Sequence, residues 1–239
     1  MSNTAADRSA SIHPVTPQQF RRYVVAAVVT AFTAAALLVV PAVTAVGVPT
    51  ASAACPAVEV IFARGRLEPA GPGQVGNAFV SALRSKTGKN VNMYAVRYPA
   101  DNQIDVGAND MSARVQSTMA SCPDTRIVLG GYSLGAAVTD VTLAVPFSFF
   151  GFDNPLPPEA DQHIAAVALF GNGSAWAGPI GAFSPVYRER TIEMCHAADP
   201  ICNPADPNTW ESNWSDHAAT AYIKSGMVND AADFAAGRV

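Results

Sequence analysis

The chain has 239 residues, of which 49% are hydrophobic and 14% are charged, and its formal net charge at pH 7 is -4. This length and composition suffice for one buried core and exclude disordered and fibrous proteins. When the three arginines and one aspartate before Ala54 are set aside, 12 basic and 18 acidic residues remain, a net charge of -6. That sign argues against nucleic acid as a ligand.

Residues 1–54 have the features of a targeting segment. Arg21 and Arg22 precede an uncharged run that contains Ala51-Ser52-Ala53-Ala54, small residues that resemble a signal-peptidase site. The 18 residues from Tyr23 to Val40 are mostly apolar, and a helix of this length would come close to spanning the core of a bilayer. We therefore predict a signal peptide or a membrane-anchoring leader over 1–54, one domain over 55–239, and a secreted or cell-envelope location.

Four cysteines follow this leader: Cys55, Cys122, Cys195 and Cys202. An even number in an exported chain predicts two disulfides, and the sequence alone allows three pairings. A zinc site fits poorly, because neither Cys-x-x-Cys nor paired histidine spacing occurs. We expect disulfides and no metal.

Short apolar runs alternate with helix-like stretches along the domain. The predicted strands are 57–63, 91–98, 126–130, 164–170 and 191–195. The predicted helices are 75–84, 106–120, 136–145 and one or two within 217–236, interrupted near Gly226. The strand segments show little alternation of polar and apolar residues, which is typical of strands covered on both faces. The pattern predicts an α/β domain with a central, mainly parallel sheet flanked by helices.

The segment Gly131-Tyr132-Ser133-Leu134-Gly135 is a Gly-x-Ser-x-Gly motif, which becomes informative through its context. A predicted strand runs straight into it and a predicted helix continues beyond it, as in a nucleophile elbow. Glycines allow a serine to sit on such a strained turn, because a Cβ beside it would collide with the adjoining strand and helix. The helix N-terminus also favours a developing oxyanion. Ser133 is therefore the candidate nucleophile.

A serine hydroxyl needs a base, which in this arrangement lies furthest along the chain. His13 falls in the leader, whereas His163 and His196 suit surface or loop positions. Only His217 follows a suitable acid with room for a loop between them. His217 is the candidate base, with His196 as the alternative.

The base in turn needs an acid that orients it. Asp199 lies in the short loop between Cys195 and Cys202, where a disulfide would fix the position of its carboxylate. Asp206 lies in a proline-rich stretch, and Asp216 is the immediate neighbour of His217, from which Nδ1 is awkward to reach. Asp199 is the candidate acid, with Asp206 and Asp216 as competitors.

Together these residues resemble the cutinase family, most closely its actinobacterial branch, from Cys55 to the C-terminus. The resemblance rests on Val60-Ile61-Phe62-Ala63-Arg64-Gly65, the motif at Ser133, Val167-Ala168-Leu169-Phe170-Gly171-Asn172, the Asp199 loop, and His217 followed by Tyr222. It implies a cutinase-like α/β-hydrolase fold with a Ser133, Asp199 and His217 triad, which needs no cofactor. It also implies disulfides that pair Cys55 with Cys122 and Cys195 with Cys202.

The resemblance further implies an oxyanion hole formed by the backbone N–H groups of Leu134 and Arg66. Family members usually have Ser or Thr where this chain has Arg66, and often Gln in place of Leu134. The backbone donors survive both changes, but a hydroxyl that would assist the hole is absent at Arg66. Because removing one oxyanion donor costs about 10²- to 10³-fold in rate, we expect lower or differently tuned activity. The alternative is that Arg66 is a solvated loop residue.

Residues 145–152 contain four phenylalanines within eight positions, just after the predicted helix that follows Ser133. Near the site, such a segment would bind acyl chains or contact a membrane or lipid surface. Packed beneath a loop, the same phenylalanines would belong to the core. The sequence leaves both interpretations open.

We predict an exported, monomeric serine esterase, cutinase-like or lipase-like, that hydrolyses small-molecule or lipid carboxylic esters with short to medium acyl chains. Two alternatives use the same residues. In one, an alcohol other than water attacks the acyl-enzyme and the protein is an acyltransferase. In the other, Arg66 has impaired the oxyanion hole and the protein is a non-catalytic secreted or envelope protein; the intact set of Ser133, Asp199 and His217 weighs against this.

Overall fold

The computed structural model describes residues 55–203 and 210–239. The predicted leader, residues 1–54, and the competing acid Asp206 lie outside the described residues. Within the described ranges, every helix is too short or too polar to cross a bilayer.

The centre of the domain is a sheet of five parallel strands in the order β2-β1-β3-β4-β5. The strands are β1 Val58–Ala63, β2 Val91–Ala95, β3 Arg126–Tyr132, β4 Ile164–Phe170 and β5 Thr191–Met194. The predicted α/β class is confirmed, and the sheet is parallel throughout. Four strand ends differ from the prediction. β1 begins and β5 ends one residue inside the predicted range, β2 stops at Ala95, and β3 continues through Tyr132 to the residue before Ser133.

Helices fill the connections between the strands. They are α1 Gly73–Thr87, α2 Ile104–Ser121, α3 Leu134–Ala144, α4 Ile180–Phe183, α5 Trp214–His217, α6 Ala219–Lys224 and α7 Met227–Ala236, with 3₁₀ turns at Pro158–Gln162, Ala175–Ala177 and Pro185–Arg190. The predicted interruption of the C-terminal helical region near Gly226 is present, between α6 and α7. The short helix α5 begins before the predicted region, and the extended Ala218 separates it from α6. The four-residue α4 was not predicted, since so short a segment carries little periodicity.

The sheet has a buried apolar layer on each face. Along β1, Val60 and Phe62 belong to the layer that includes Phe79 of α1 and the buried alanines of α7, while Ile61 belongs to the layer that includes α2 and α3. Alternate strand residues point to opposite faces, so a strand buried on both sides must be apolar at nearly every position. Burial on both faces therefore explains why polar and apolar residues do not alternate along these strands.

Two disulfides tie loops to this core. Cys55, just before β1, is bonded to Cys122 at the end of α2. Cys195 and Cys202 close the short loop that follows β5. These are the pairings that the family resemblance implies, and the described part of the chain contains no free cysteine.

The first strand places a charged side chain between the apolar layers, far from Ser133. Glu59 of β1 is completely inaccessible to solvent. Its carboxylate accepts hydrogen bonds from Asn92 Nδ2 at 2.9 Å, from the guanidinium of Arg114 and from the hydroxyl of Thr118. A buried carboxylate is tolerated only when it is paired and hydrogen-bonded, so these contacts connect β1 to α2 and β2.

We expect Glu59→Gln to lower the free energy of unfolding by about 3 kcal/mol, because it leaves the partly buried Arg114 without its counter-charge. Urea denaturation measures this change. The matched control is Lys86→Gln, which breaks the more exposed Lys86–Asp233 pair and is expected to cost at most about 1 kcal/mol. Equal losses for the two variants would contradict the structural role given to Glu59.

Candidate active site

Ser133 stands on a sharp turn between β3 and α3. Its φ angle is 56° and its ψ angle is -117°, a backbone conformation that non-glycine residues seldom adopt. The flanking glycines make the turn sterically feasible: a Cβ on Gly131 would lie 2.1 Å from the carbonyl oxygen of Gly135, and one on Gly135 would lie 2.0 Å from that of Ala63. The predicted elbow geometry is therefore present at this motif.

Three side chains form a continuous hydrogen-bonded chain at this turn. Ser133 Oγ lies 2.8 Å from His217 Nε2, and His217 Nδ1 lies 2.7 Å from Asp199 Oδ2. His217 is 5% exposed and Asp199 is fully buried. The structure thus brings together the candidate nucleophile, base and acid, which are contributed by segments after β3, at the end of α5 and after β5.

Asp199 is held as an anion by several donors. Its Oδ1 accepts the backbone N–H groups of Ile201 at 2.7 Å and Cys202 at 3.2 Å. Its Oδ2 accepts the hydroxyl of Tyr222 in addition to the His217 ring. Burial alone would raise the pKa of Asp199, but these hydrogen bonds favour the charged form and bring its pKa below the usual value. The carboxylate is therefore ionised and fixed in orientation.

Tyr222 is a site residue whose role the sequence did not reveal. It is completely buried, and its hydroxyl donates to Asp199 Oδ2. Burial, followed by the hydrogen bond to Asp199, raises the pKa of Tyr222 well above its ordinary value, so its hydroxyl stays protonated and remains a donor. Its position five residues after His217 was visible in the sequence, but only the packing of α6 on the Cys195–Cys202 loop makes the contact.

Two further aromatic residues surround the His217 ring. Tyr132 stacks on it with ring centres 5.4 Å apart, and its hydroxyl donates to the backbone carbonyl of His217. Trp214 lies 5.3 Å away, ring centre to ring centre. The imidazole is therefore held between flat apolar surfaces with its Nε2 directed at Ser133, and neither neighbour was identified from the sequence.

A cavity of about 540 Å³ opens beside Ser133 and His217. Among the other lining residues, three carry charged or amide side chains, namely Arg66, Glu68 and Gln74. The remaining ones are apolar or aromatic: Leu67, Tyr132, Leu134, Gly173, Ile201, Trp210, Trp214, Ala218 and Ala219. Trp210 and Trp214 contact each other and are each about half exposed. Volumes of about 300–1,000 Å³ with a mainly apolar lining are typical of small-molecule sites.

The two residues predicted for the oxyanion hole both line this cavity. Leu134 is the first residue of α3, so its N–H has no acceptor within the helix. The loop that carries Arg66 is held by the buried Arg64, whose guanidinium donates to the carbonyls of Glu68 at 2.8 Å and Tyr98 at 2.6 Å. Arg66 itself is exposed. It is thus a solvated residue and at the same time part of the cavity wall.

The competing candidates lie elsewhere. His196 Nδ1 lies 2.8 Å from Asp216 Oδ1, although without hydrogen-bond geometry, so the two alternatives are neighbours of each other. His163 ends a 3₁₀ turn, where its backbone carbonyl accepts the N–H of Ile127. Neither histidine lines the cavity around Ser133.

The phenylalanine-rich segment divides between surface and core. Phe152 is 1% exposed, whereas Phe147, Phe149 and Phe150 are 59%, 54% and 86% exposed. None of the four lines the cavity beside Ser133, because α3 carries the chain away from the elbow before this segment begins. The interpretation as core is right for Phe152 only, and the structure gives no support to acyl binding by this segment inside the cavity.

Within residues 55–203 and 210–239, no group of three His, Cys, Asp or Glu side chains is arranged to hold a metal ion.

Comparison with known proteins identifies close relatives. The family model for cutinases matches residues 54–239. A Mycobacterium tuberculosis protein named Probable carboxylesterase Culp2 is 66% identical over 223 residues, which cover 92% of this chain and 97% of that protein. Phospholipase Culp4 of the same organism is 48% identical over 216 residues, which cover 89% of this chain and 90% of that protein.

Solved structures with the same fold include Trichoderma reesei cutinase in complex with a phosphonate inhibitor. It is 28% identical with a TM-score of 0.59, over 77% of this chain and 76% of that one. The catalytic core of Trichoderma reesei acetyl xylan esterase has a TM-score of 0.61 at 24% identity, over 77% of this chain and all of that one, and shares the fold. The chain belongs to the cutinase family and is a serine carboxylic-ester hydrolase.

Proposed function

We propose that this protein hydrolyses carboxylic esters through an acyl-enzyme on Ser133, with His217 as general base and acid and Asp199 as the residue that orients it. The observation that carries the proposal is the unbroken contact from Ser133 Oγ through the His217 ring to Asp199, at 2.8 and 2.7 Å, beside a cavity of suitable size. Each distance lies within the range in which a proton is transferred or an imidazole is oriented.

The reaction follows from this geometry. Ser133 Oγ bonds to the ester carbonyl carbon while its proton passes to His217 Nε2, and the former carbonyl oxygen becomes an anion. The backbone N–H groups of Leu134 and Arg66 stabilise that anion. The bond to the alkoxy group then breaks, and the alcohol leaves with the proton from Nε2. Water attacks the acyl-enzyme by the same steps, which releases the carboxylic acid and restores Ser133.

The lining of the cavity supports a substrate with a short to medium acyl chain, or a lipid ester. Leu67, Ile201, Trp210 and Trp214 offer apolar surface for hydrocarbon within a volume of about 540 Å³. A relative named as a phospholipase supports the inclusion of lipid esters. Contact with a lipid surface and a monomeric state stay predictions, as does export, which is compatible with two disulfides that persist in oxidising compartments.

Ser133→Ala is expected to lower kcat for nitrophenyl esters of increasing acyl length by roughly 10⁶-fold, because the attacking oxygen is lost. Stopped-flow or steady-state release of nitrophenol measures this. A serine-directed alkyl phosphonate should label the wild-type protein at Ser133, as read by mass spectrometry. The matched control is Ser215→Ala, which changes an exposed serine near His217. This variant should be active and should be labelled at Ser133. Equal slow hydrolysis by wild type and Ser133→Ala, without labelling, would exclude this function.

Asp199→Asn is expected to lower kcat by about 10³- to 10⁴-fold while the protein remains folded, because an amide cannot hold the His217 tautomer or stabilise the imidazolium. The control is Asp216→Asn, which changes the acid next to His217 that contacts His196 instead. Circular dichroism and thermal melting check the fold of both variants. If Asp216→Asn loses more turnover than Asp199→Asn, the role of the acid has been assigned to the wrong residue.

Arg66 allows a direct test of the proposed oxyanion hole. Arg66→Ser and Arg66→Ala both remove the guanidinium, and they differ only in one hydroxyl. If that hydroxyl reaches the oxyanion, kcat for Arg66→Ser should exceed kcat for Arg66→Ala by about 10- to 10²-fold, with similar KM values. Equal kcat values would mean that the side chain at this position does not face the developing charge.

A further inference from the structure

Residues Asn172, Gly173 and Ser174, here called the 172–174 loop, follow β4 and pass over the turn that carries Ser133. The Gly173 N–H donates to the carbonyl oxygen of Ser133 at 3.1 Å. The same oxygen accepts the N–H of Ala136 at 3.0 Å at the start of α3. Gly173 therefore gives this carbonyl a hydrogen bond from outside α3.

This contact bears on the proposed oxyanion donor. The carbonyl of Ser133 and the N–H of Leu134 belong to one planar peptide unit. Holding the oxygen from outside thus sets the direction in which the Leu134 N–H points. The constraint matters because Ser133 has a φ angle of 56°, and such strained conformations persist only where the surroundings over-determine them.

The 172–174 loop is in turn anchored to α3 by the carboxyl group of Asp140. Asp140 Oδ2 accepts Asn172 Nδ2 at 2.8 Å and lies 2.7 Å from Ser174 Oγ. Within the loop, Asn172 Oδ1 accepts the Ser174 N–H at 2.9 Å. Asn172 is 3% exposed and Asp140 is 9% exposed. The contacts therefore run from Asp140 through Asn172 and Ser174 to Gly173 and then to Ser133.

Asp140 uses only one of its two oxygens in this arrangement. Its Oδ1 is buried and has no hydrogen-bond partner among the described residues. Burial raises the pKa of Asp140 above its usual value, partly offset by the hydrogen bonds from Ser174 and Asn172. An acceptor oxygen at the position of Oδ2 is what the contacts require, and an amide oxygen provides one as well as a carboxyl oxygen does.

We propose that Asp140 is a positioning residue for ester hydrolysis, which anchors the 172–174 loop so that Gly173 orients the Ser133–Leu134 peptide and its N–H toward the oxyanion. This inference rests on the proposed function of Ser133 and assigns a role two helical turns away from it. Asp140 does not line the cavity beside Ser133, so we expect its substitution to change turnover and not substrate affinity.

Asp140→Ala is expected to lower kcat by about 10- to 10²-fold with KM changed less than about threefold, because a misdirected donor weakens stabilisation of the transition state. Asp140→Asn keeps the acceptor oxygen and should retain kcat within about threefold of wild type. Steady-state kinetics with a nitrophenyl butyrate substrate separates kcat from KM.

The control for lost stability is Thr142→Val. Thr142 is buried on the same helix, and its hydroxyl donates to the carbonyl of Val138. Thermal melting of all variants compares their loss of stability. If Asp140→Ala lowers kcat no more than Thr142→Val does, or if Asp140→Asn is as impaired as Asp140→Ala, the positioning role is overturned.

A surface variant keeps the test decisive if Asp140→Ala does not fold. Ser174→Ala removes the hydroxyl of a partly exposed loop residue, which contacts Asp140 Oδ2 and Asn172 Oδ1, and it should lower kcat by about 3- to 10-fold. Adding Asp140→Asn to Ser174→Ala should leave kcat within about threefold of Ser174→Ala alone, because the amide keeps the acceptor oxygen. A Ser174→Ala variant with the kcat of the wild type would overturn the proposal. Phosphonate labelling of wild-type Ser133 distinguishes this outcome from failure of the proposed function, which would abolish labelling in every variant.

Discussion

The close approach of α3 to β1 is the constraint on which the site depends. Gly135 packs against the carbonyl of Ala63 so tightly that a side chain there would lie about 2.0 Å from it. The helix can therefore begin directly above the sheet, and the turn before it must take the strained conformation seen at Ser133. Strain of this kind costs on the order of 1–3 kcal/mol and is held by the surrounding structure. In return, the serine hydroxyl projects from the edge of the sheet, next to the N-terminus of a helix.

The parallel sheet explains how distant segments meet at that hydroxyl. Because all five strands run in one direction, their carboxyl ends lie on one edge, where ligands bind in open α/β sheets. The loop with Arg66 follows β1, Ser133 follows β3, the 172–174 loop follows β4 and the Asp199 loop follows β5. His217 comes from the C-terminal helices, and its ring reaches the same edge between Tyr132 and Trp214. Topology, and not sequence proximity, assembles the site.

The polar interior of the site is arranged as donors around buried acceptors. Asp199, with no exposed surface, receives hydrogen bonds from two backbone N–H groups, the His217 ring and the Tyr222 hydroxyl. Burial raises the pKa of Tyr222 and Tyr132, which keeps both hydroxyls protonated as donors. Away from this site, Asp140 is satisfied through one oxygen only. Asp140 therefore differs from Asp199 in its role: it anchors the 172–174 loop and does not orient the base.

The fold class, the central elements and the candidate nucleophile could be predicted from the sequence, because apolar strands and the glycines around Ser133 leave a local pattern. It also pointed to Asp199 and His217 through chain order and to the disulfides through family resemblance. Predicted boundaries were wrong where the local signal was weak, as at the end of β2, which stops at Ala95. Three other features could be known only from the folded chain. They are the contacts of three aromatic residues with the site, the exposure of three phenylalanines, and the link from Asp140 to Ser133. They join residues from different strands and helices, and such distances depend on how the elements pack, which no short stretch of sequence encodes.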